Sequence, residues 1–338
     1  MMKPLGILAC FSLLFSVYAS ESSIKIDYFE GAAPKTDDEI KSSEEEKSDN
    51  HLLEFMMLND SVDIFFVQNT QLYRDSWNEL AQPYFWKTII GMSPDSCVIN
   101  IGETRQIIEI MTVKEWEAKN DTEKSKYRDS IRAAYSLSED YSIYMTIGKS
   151  DFYHYDDILP AISRGVQRFN EQGVDPWYAQ SILMIESPGK LAKSNAGAYG
   201  SFQLMAEVAR KFGLKVNRYV DERKDFDKSA VAASQLIKTI CIPEAKKILD
   251  ARNIEYNETD LWFRLFVMHI YHAGAYNVAA VVNKINPSNG GMELIQEMWV
   301  TKAGRFGNAS QNYSQITLAV MMILDNMLGN CYDDAASL

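Results

Sequence analysis

The stretch that decides the reading is Asp175-Pro176-Trp177-Tyr178-Ala179-Gln180-Ser181-Ile182-Leu183-Met184-Ile185-Glu186-Ser187-Pro188-Gly189. Asp175 suits an N-cap, because its side chain accepts the first unpaired N–H groups of a helix. Pro176 suits the first helical position, where a missing N–H costs nothing. From Trp177 to Ile185 the run is apolar almost all round, so the helix is expected to be buried. Pro188-Gly189 then breaks it. Glu186 is left as a carboxylate on the end of an apolar helix. Desolvation there raises its pKa and keeps it protonated near neutrality, which is the state a general acid needs. A Glu at a helix end is ordinary on its own; the residues around it give it weight.

Working outward, Asp156-Asp157 precede Ile158, Ile162, Val166 and Phe169, a capped amphipathic helix that Gly173 ends. Further helical runs cover Gln203–Phe212, Asp227–Ile240, Thr259–Tyr276 and Asn312–Leu328. Residues 151–330 therefore read as an all-α domain, with 331–338 as a tail. Residues 51–150 read as a small α+β region. Val62–Val67 and Tyr84–Ile90 are apolar, and Cys97–Ile101, Gly102–Arg105 and Gln106–Met111 read as strand, tight turn and strand. Val113–Tyr135 looks helical and highly charged, and Tyr141–Ile147 reads as a strand ending at Gly148.

Before this region lies an acidic spacer. Residues 20–50 hold ten acids and four bases, half of the net charge of −12 carried by the 338-residue chain. So polar a stretch cannot bury enough apolar surface to offset its ordering entropy, and disorder is expected. An acidic balance argues against a general nucleic-acid partner. The 46% hydrophobic content leaves enough material for one or two cores. At the N-terminus, the apolar run Leu5–Tyr18 and the small-residue site Val17-Tyr18-Ala19 read as a signal peptide over residues 1–19. The rival is a lipid anchor on Cys10 in Ile7-Leu8-Ala9-Cys10, although few apolar residues precede it. Export leaves Cys97, Cys241 and Cys331. Cys241 and Cys331 share the helical domain and are the expected disulfide candidates, against the alternative of three unpaired thiols. No Cys or His spacing suggests a metal site.

Downstream of Glu186 come Ser194, then Gly197-Ala198-Tyr199-Gly200-Ser201-Phe202-Gln203-Leu204-Met205, then Ile270-Tyr271-His272-Ala273-Gly274 with Asn277-Val278. Here the chain resembles the family 1 lytic transglycosylases, murein-cleaving enzymes with a goose-lysozyme-like catalytic domain. That family's pattern is an apolar helix ending Glu-Ser, then Gly-Leu-Met-Gln-(Ile/Leu)-Met-Pro, then Ala-Tyr-Asn-Ala-Gly. Asp221-Glu222-Arg223-Lys224-Asp225, leading into Ser229-Ala230 and Ala232-Ala233, together with Asn312-Tyr313, is similar to the branch exemplified by membrane-bound lytic murein transglycosylase D. The resemblance runs from Ile158 to Leu328. It departs from the pattern at His272 for Asn, Ala206 for Pro, Phe202 for Met, and in Pro188 after Glu186-Ser187. The LysM repeats common in that branch are missing.

The resemblance implies an all-α lysozyme-like catalytic domain preceded by the small α+β region. It implies that Glu186 alone does the chemistry, first protonating the glycosidic oxygen between N-acetylmuramic acid and N-acetylglucosamine. Glu186 then takes the proton of the muramoyl C6 hydroxyl, closing a 1,6-anhydro ring without water. A partnered second carboxylate, as in hydrolases, is then not needed; Asp221 and Asp225 read as capping and salt-bridging residues. Ser187, Ser194, Gly200, Phe202, Gln203, Met205, Tyr271, His272 and Tyr313 are carried over as substrate-binding positions, with Tyr271 expected to fix the rotamer of Glu186. No cofactor is implied. The implied partner is the peptidoglycan glycan strand, and the implied location is the periplasm, with outer-membrane association if a lipid anchor is present. The alternatives are a hydrolytic muramidase on the same fold and an inactive peptidoglycan-binding scaffold.

Overall fold

The computed structural model describes residues 24–25, 52–57, 62–153, 155, 158–186, 193–194 and 196–336. Its first sheet is antiparallel, with β1 (Ile24–Lys25), β2 (Leu52–Met57) and β3 (Val62–Val67) side by side in that order. β1 falls inside the spacer expected to be disordered. Its pairing, Ile24 with Met57 and Lys25 with Met56, covers the free edge of β2. After β3 come the short α1 (Gln71–Arg74), a 3₁₀ turn and α2 (Ala81–Gly91).

A second sheet follows, built from β4 (Ser96–Ile101), β5 (Ile107–Thr112) and β6 (Ile143–Ile147) in the order β5-β4-β6. The expected hairpin is there, with one register shift between Ile99 and Asn100. The charged helix expected over Val113–Tyr135 is two helices, α3 (Val113–Glu117) and α4 (Asp121–Ala134). Each opens on its own capping box, Thr112 with Glu115 and Asn120 with Glu123. Reciprocal caps of this kind satisfy the first free N–H groups and start a helix afresh.

From there the described chain is helical: α5 (Leu159–Glu171), α6 (Trp177–Glu186), α7 (Ala206–Lys211), α8 (Phe226–Leu236), α9 (Ile242–Asp250), α10 (Leu261–Ala273), α11 (Ala275–Ile285), α12 (Met292–Val300) and α13 (Asn308–Ala336). The helix expected over Gln203–Phe212 begins three residues late, because Gln203 sits at φ +43° and Leu204 pairs back to Tyr199. A π-turn over Ile237–Cys241 joins α8 to α9 just ahead of Pro243, which has no N–H to give a regular ladder. Gly274, at φ +81°, divides the run expected over Thr259–Tyr276. α13 continues to Ala336, so most of the expected tail is helix. Asp156 and Asp157 lie outside the described residues; α5 follows Ile158, which gives no side-chain cap.

Two cores form, and they do not divide at residue 150. The larger gathers Phe66, Leu72, Trp77, Phe85 and Ile89 with the helices from α5 onward. The smaller holds Cys97, Ile99, Ile101, Trp116, Ile131 and Ile143. β3 lies against α5 and α6, and α2 against α13, so the expected accessory region contributes half of itself to the helical domain. Gln180 explains the attachment. Its amide accepts from Val67 N–H and donates to the Val67 carbonyl, each at 3.0 Å, so a buried polar side chain in α6 satisfies the end of β3. α5 and α6 meet closely at Gly165, where a Cβ would stand 2.4 Å from Leu183 Cδ1. The separate lobe is thus the second sheet with α3 and α4. Among the described residues no helix is long and apolar enough to cross a membrane. Cys241 is buried with a free thiol, so the expected bridge to Cys331 is not formed. Its side chain is packed in the helical core; that of Cys331 lies outside the described residues.

Candidate active site

α6 presents Glu186 at its C-terminal end, beyond a run from Trp177 to Ile185 that is buried throughout. Three effects act on the carboxyl group. Desolvation raises its pKa from the ordinary 4.5 to about 7, against a hydrogen bond from Tyr313 that lowers it. The unpaired carbonyls at the helix end add a negative field, which also disfavours the anion. Tyr313 Oη donates to Glu186 Oε1 at 2.9 Å, and its ring is 3% exposed. No neighbouring acid contributes to the shift. Near neutrality Glu186 is therefore poised between acid and base, as a group that gives and later takes a proton must be.

Other aromatic groups surround it. The charge of Glu186 helps push Tyr271 well above the ordinary phenol value and Tyr153 to about 12. Tyr153 stacks on Tyr155 at 5.8 Å, and Tyr155 reaches the Met184 carbonyl at 3.4 Å. Tyr153 and Tyr155 thus lie by the end of α6. His272 lies across Tyr313, with ring centroids 4.3 Å apart and planes at 22°. His272 is exposed and Glu186 half-buried by surface area, yet protein around His272 pushes its pKa down to about 4.

The loop facing this group is stapled from behind. Arg223 is 3% exposed; its guanidinium forks onto Asp221 at 2.8 and 2.7 Å. The same guanidinium donates to the carbonyls of Gly197 and Leu204 at 2.8 and 2.9 Å. Gly200 has φ +83°, and a Cβ there would stand 1.9 Å from the Arg223 carbonyl oxygen, so only glycine fits. Asp221 and Asp225 cap the turn at Glu222–Lys224 and α8, which agrees with their structural reading. Tyr271 joins loop to acid: Tyr271 Oη donates to the Phe202 carbonyl at 2.6 Å.

The expected site residues divide accordingly. Glu186, Tyr271, His272 and Tyr313 are brought together, but it is Tyr313 rather than Tyr271 that hydrogen-bonds the acid. Tyr313 holds Glu186, while the hydrogen bond of Tyr271 goes to the loop. Phe202 does not line a groove; it is fully buried, stacked on Phe169 at 5.7 Å, because the loop turns its side chain into the core. Gln203 Nε2 donates to the Gly200 carbonyl at 3.0 Å, and Met205 is 44% exposed ahead of α7. Ser194 is a turn residue: its Oγ accepts from Ala198 N–H at 3.0 Å, and its carbonyl accepts from Gly197 N–H at 2.9 Å. Ser187 lies outside the described residues. The residues that sequence reasoning missed are Tyr153, Tyr155 and the buried Arg223. An aromatic run, Phe152-Tyr153 and Tyr155, was the available signal for the first two. Among the described residues no cluster of His, Cys, Asp and Glu is arranged to hold a metal ion.

Residues 167–286 match the family model of the transglycosylase SLT domain. That segment contains Glu186, the loop, Arg223 and His272, and it stops short of Tyr313. No curated protein matches the chain.

Proposed function

The chain carries at residues 167–286 a domain of the transglycosylase SLT family of peptidoglycan-cleaving enzymes, and on that premise we propose that it is a lytic transglycosylase acting on the bond between N-acetylmuramic acid and N-acetylglucosamine. The observation that carries the reading is Glu186: a carboxyl group with pKa near 7, held by a phenol, with no acidic neighbour shifting it. Protonated, it gives its proton to the glycosidic oxygen as that bond breaks. The substrate's own acetamido oxygen stabilises the cationic sugar carbon. The resulting carboxylate, steadied by Tyr313, removes the proton from the C6 hydroxyl, whose oxygen closes the anhydro ring. Acid and base are one residue, and no water is consumed. A hydrolase would instead need a second carboxylate to activate water or attack the sugar.

Product analysis tests this. Purified sacculi digested with the protein should release muropeptides one water lighter than their hydrolytic counterparts, and Glu186→Gln should release none. Products with a free reducing end would make the protein a muramidase, and undiminished clearing by Glu186→Gln would remove the carboxylate from the chemistry. Export belongs to the same proposal, on the strength of the apolar run at 5–18.

A further inference from the structure

The lobe formed by the second sheet touches the helical domain around a cavity of about 170 Å³. On the lobe side lie the β4–β5 turn and β6; on the other lie the end of α12 and the first turns of α13. This is well below the ~300 Å³ at which small-molecule pockets begin. A sugar chain does not fit, but one terminal amino-acid residue does.

Its chemistry selects the kind of residue. Arg105 enters from the turn in a left-handed conformation, φ +60°, which is strained for a side chain of this size. Its guanidinium lies over the rings of Phe85 and Trp86 at 5.3 and 5.8 Å and, among the described residues, donates to Asn312 Oδ1 at 3.1 Å. A guanidinium has five N–H groups. Lys302 also lines the cavity, as does the Tyr144 side chain. The one acid there, Glu103, accepts the Ser142 N–H at 3.2 Å. Two cations against one acid, with amide side chains filling the wall, suit a carboxylate ligand.

We propose that this interlobe cavity binds the C-terminal carboxylate of a peptide, and that its occupant is the stem peptide carried by the glycan strand. The second half rests on the function proposed above. Arg105 and Lys302 take the carboxylate, and the terminal side chain fills the remaining space beside Tyr144. Asn312, which Arg105 holds, is the neighbour of Tyr313, which holds Glu186. Peptide and glycan would therefore be read from adjacent faces of α13, within a helix diameter of about 10 Å.

The test uses the full chain carrying Glu186→Gln and a free stem tetrapeptide, titrated calorimetrically beside the same peptide amidated at its C-terminus. The expected result is saturable binding of the acid, with the amide weaker by at least about tenfold. Lys302→Gln should weaken the acid by at least about tenfold and leave the amide unchanged. Lys302 is exposed, so this variant keeps the fold. Arg105→Gln should do the same, but Arg105 also ties the lobe to α13, so the Lys302 variant decides. Equal binding of acid and amide, no saturable binding, or indifference to Lys302→Gln each overturns the proposal. Since the titration contains no glycan, failure here with anhydro products intact sinks only this inference. Peptide binding without strand cleavage sinks the function proposed above and with it the choice of occupant, and leaves the carboxylate site standing.

Discussion

One helix, α6, has a carboxylate at each end, and the two have been put to opposite uses. Asp175 precedes the helix, where the field of the free N–H groups favours an anion. Its Oδ1 accepts Trp177 N–H at 3.0 Å, and its Oδ2 takes the Nε and a terminal nitrogen of Arg264, both at 2.7 Å. Arg264 is 1% exposed and lies over the Trp177 ring at 5.7 Å. Glu186 closes the same helix, where the field is reversed and the contact that lowers its pKa is a phenol. The first carboxylate is tied into the fold by the helix N–H and a buried guanidinium. The second is left able to change. What separates structure from chemistry here is the presence of a cation and the end of the helix, not the type of residue.

The largest effect that would break this comparison is on turnover. Glu186→Gln preserves shape and removes the proton, so cleavage of purified sacculi should fall at least about 10³-fold, within the range for loss of a general acid. Asp175→Ala should leave the pH profile of the remaining activity where it was. It should instead destabilise the fold by about 3 kcal/mol, because Arg264 is left buried without its anion; thermal unfolding measures this. If Asp175→Ala moved the pH profile, or Glu186→Gln lowered stability as much, the two ends would not be separate in kind.

A smaller effect sharpens the contrast through pH. The folded-state pKa of Glu186 is raised from 4.5 to about 7. Stability contributed by its protonated form is thus fully present below pH 4.5 and lost as pH rises through 7. Glu186→Gln should match the wild type at low pH and become the more stable protein by pH 8. At about 1.4 kcal/mol per pKa unit, the gain should be at most about 3.5 kcal/mol. Urea unfolding at pH 4 and pH 8 measures it.

The same helix explains how much was legible in the sequence. Asp-Pro at one end, nine residues of which eight are apolar or small, and Glu-Ser-Pro-Gly at the other state a cap, a buried body and a break, each set by local chemistry. The second sheet was readable for the same reason, since hairpin alternation and turn residues are local. What escaped depended on partners far along the chain. Gln180 looked like one polar residue in an apolar run, but it meets Val67 across 113 positions and thereby draws β3 into the helical domain. Arg223 stood in the sequence only as one member of the charged run Asp221–Asp225, yet the turn at Asp221 and the carbonyls of Gly197 and Leu204 converge on it. The phenol that holds the acid was misassigned for a similar reason: Tyr271 and Tyr313 are both near Glu186, and only the geometry of α10 against α13 decides which phenol reaches it.

The place of Tyr313 at the acid leads to the smallest effect, and the one most specific to this arrangement. Tyr313 favours the anionic form of Glu186, so Tyr313→Phe should raise the acid's pKa further and carry the alkaline limb of the pH–rate profile upward. Loss of one hydrogen bond to a charged group is worth about 1.5–3 kcal/mol, which bounds the loss of turnover at about one to two powers of ten. Tyr271→Phe removes a bond to the Phe202 carbonyl rather than to the acid. It should slow the reaction by loosening the loop and leave the limb within a few tenths of a pH unit, a shift worth under about 0.5 kcal/mol. Were the two variants to shift the profile alike, the phenol at 313 would not be the group that tunes the acid, and the poised end of α6 would owe its character to desolvation alone.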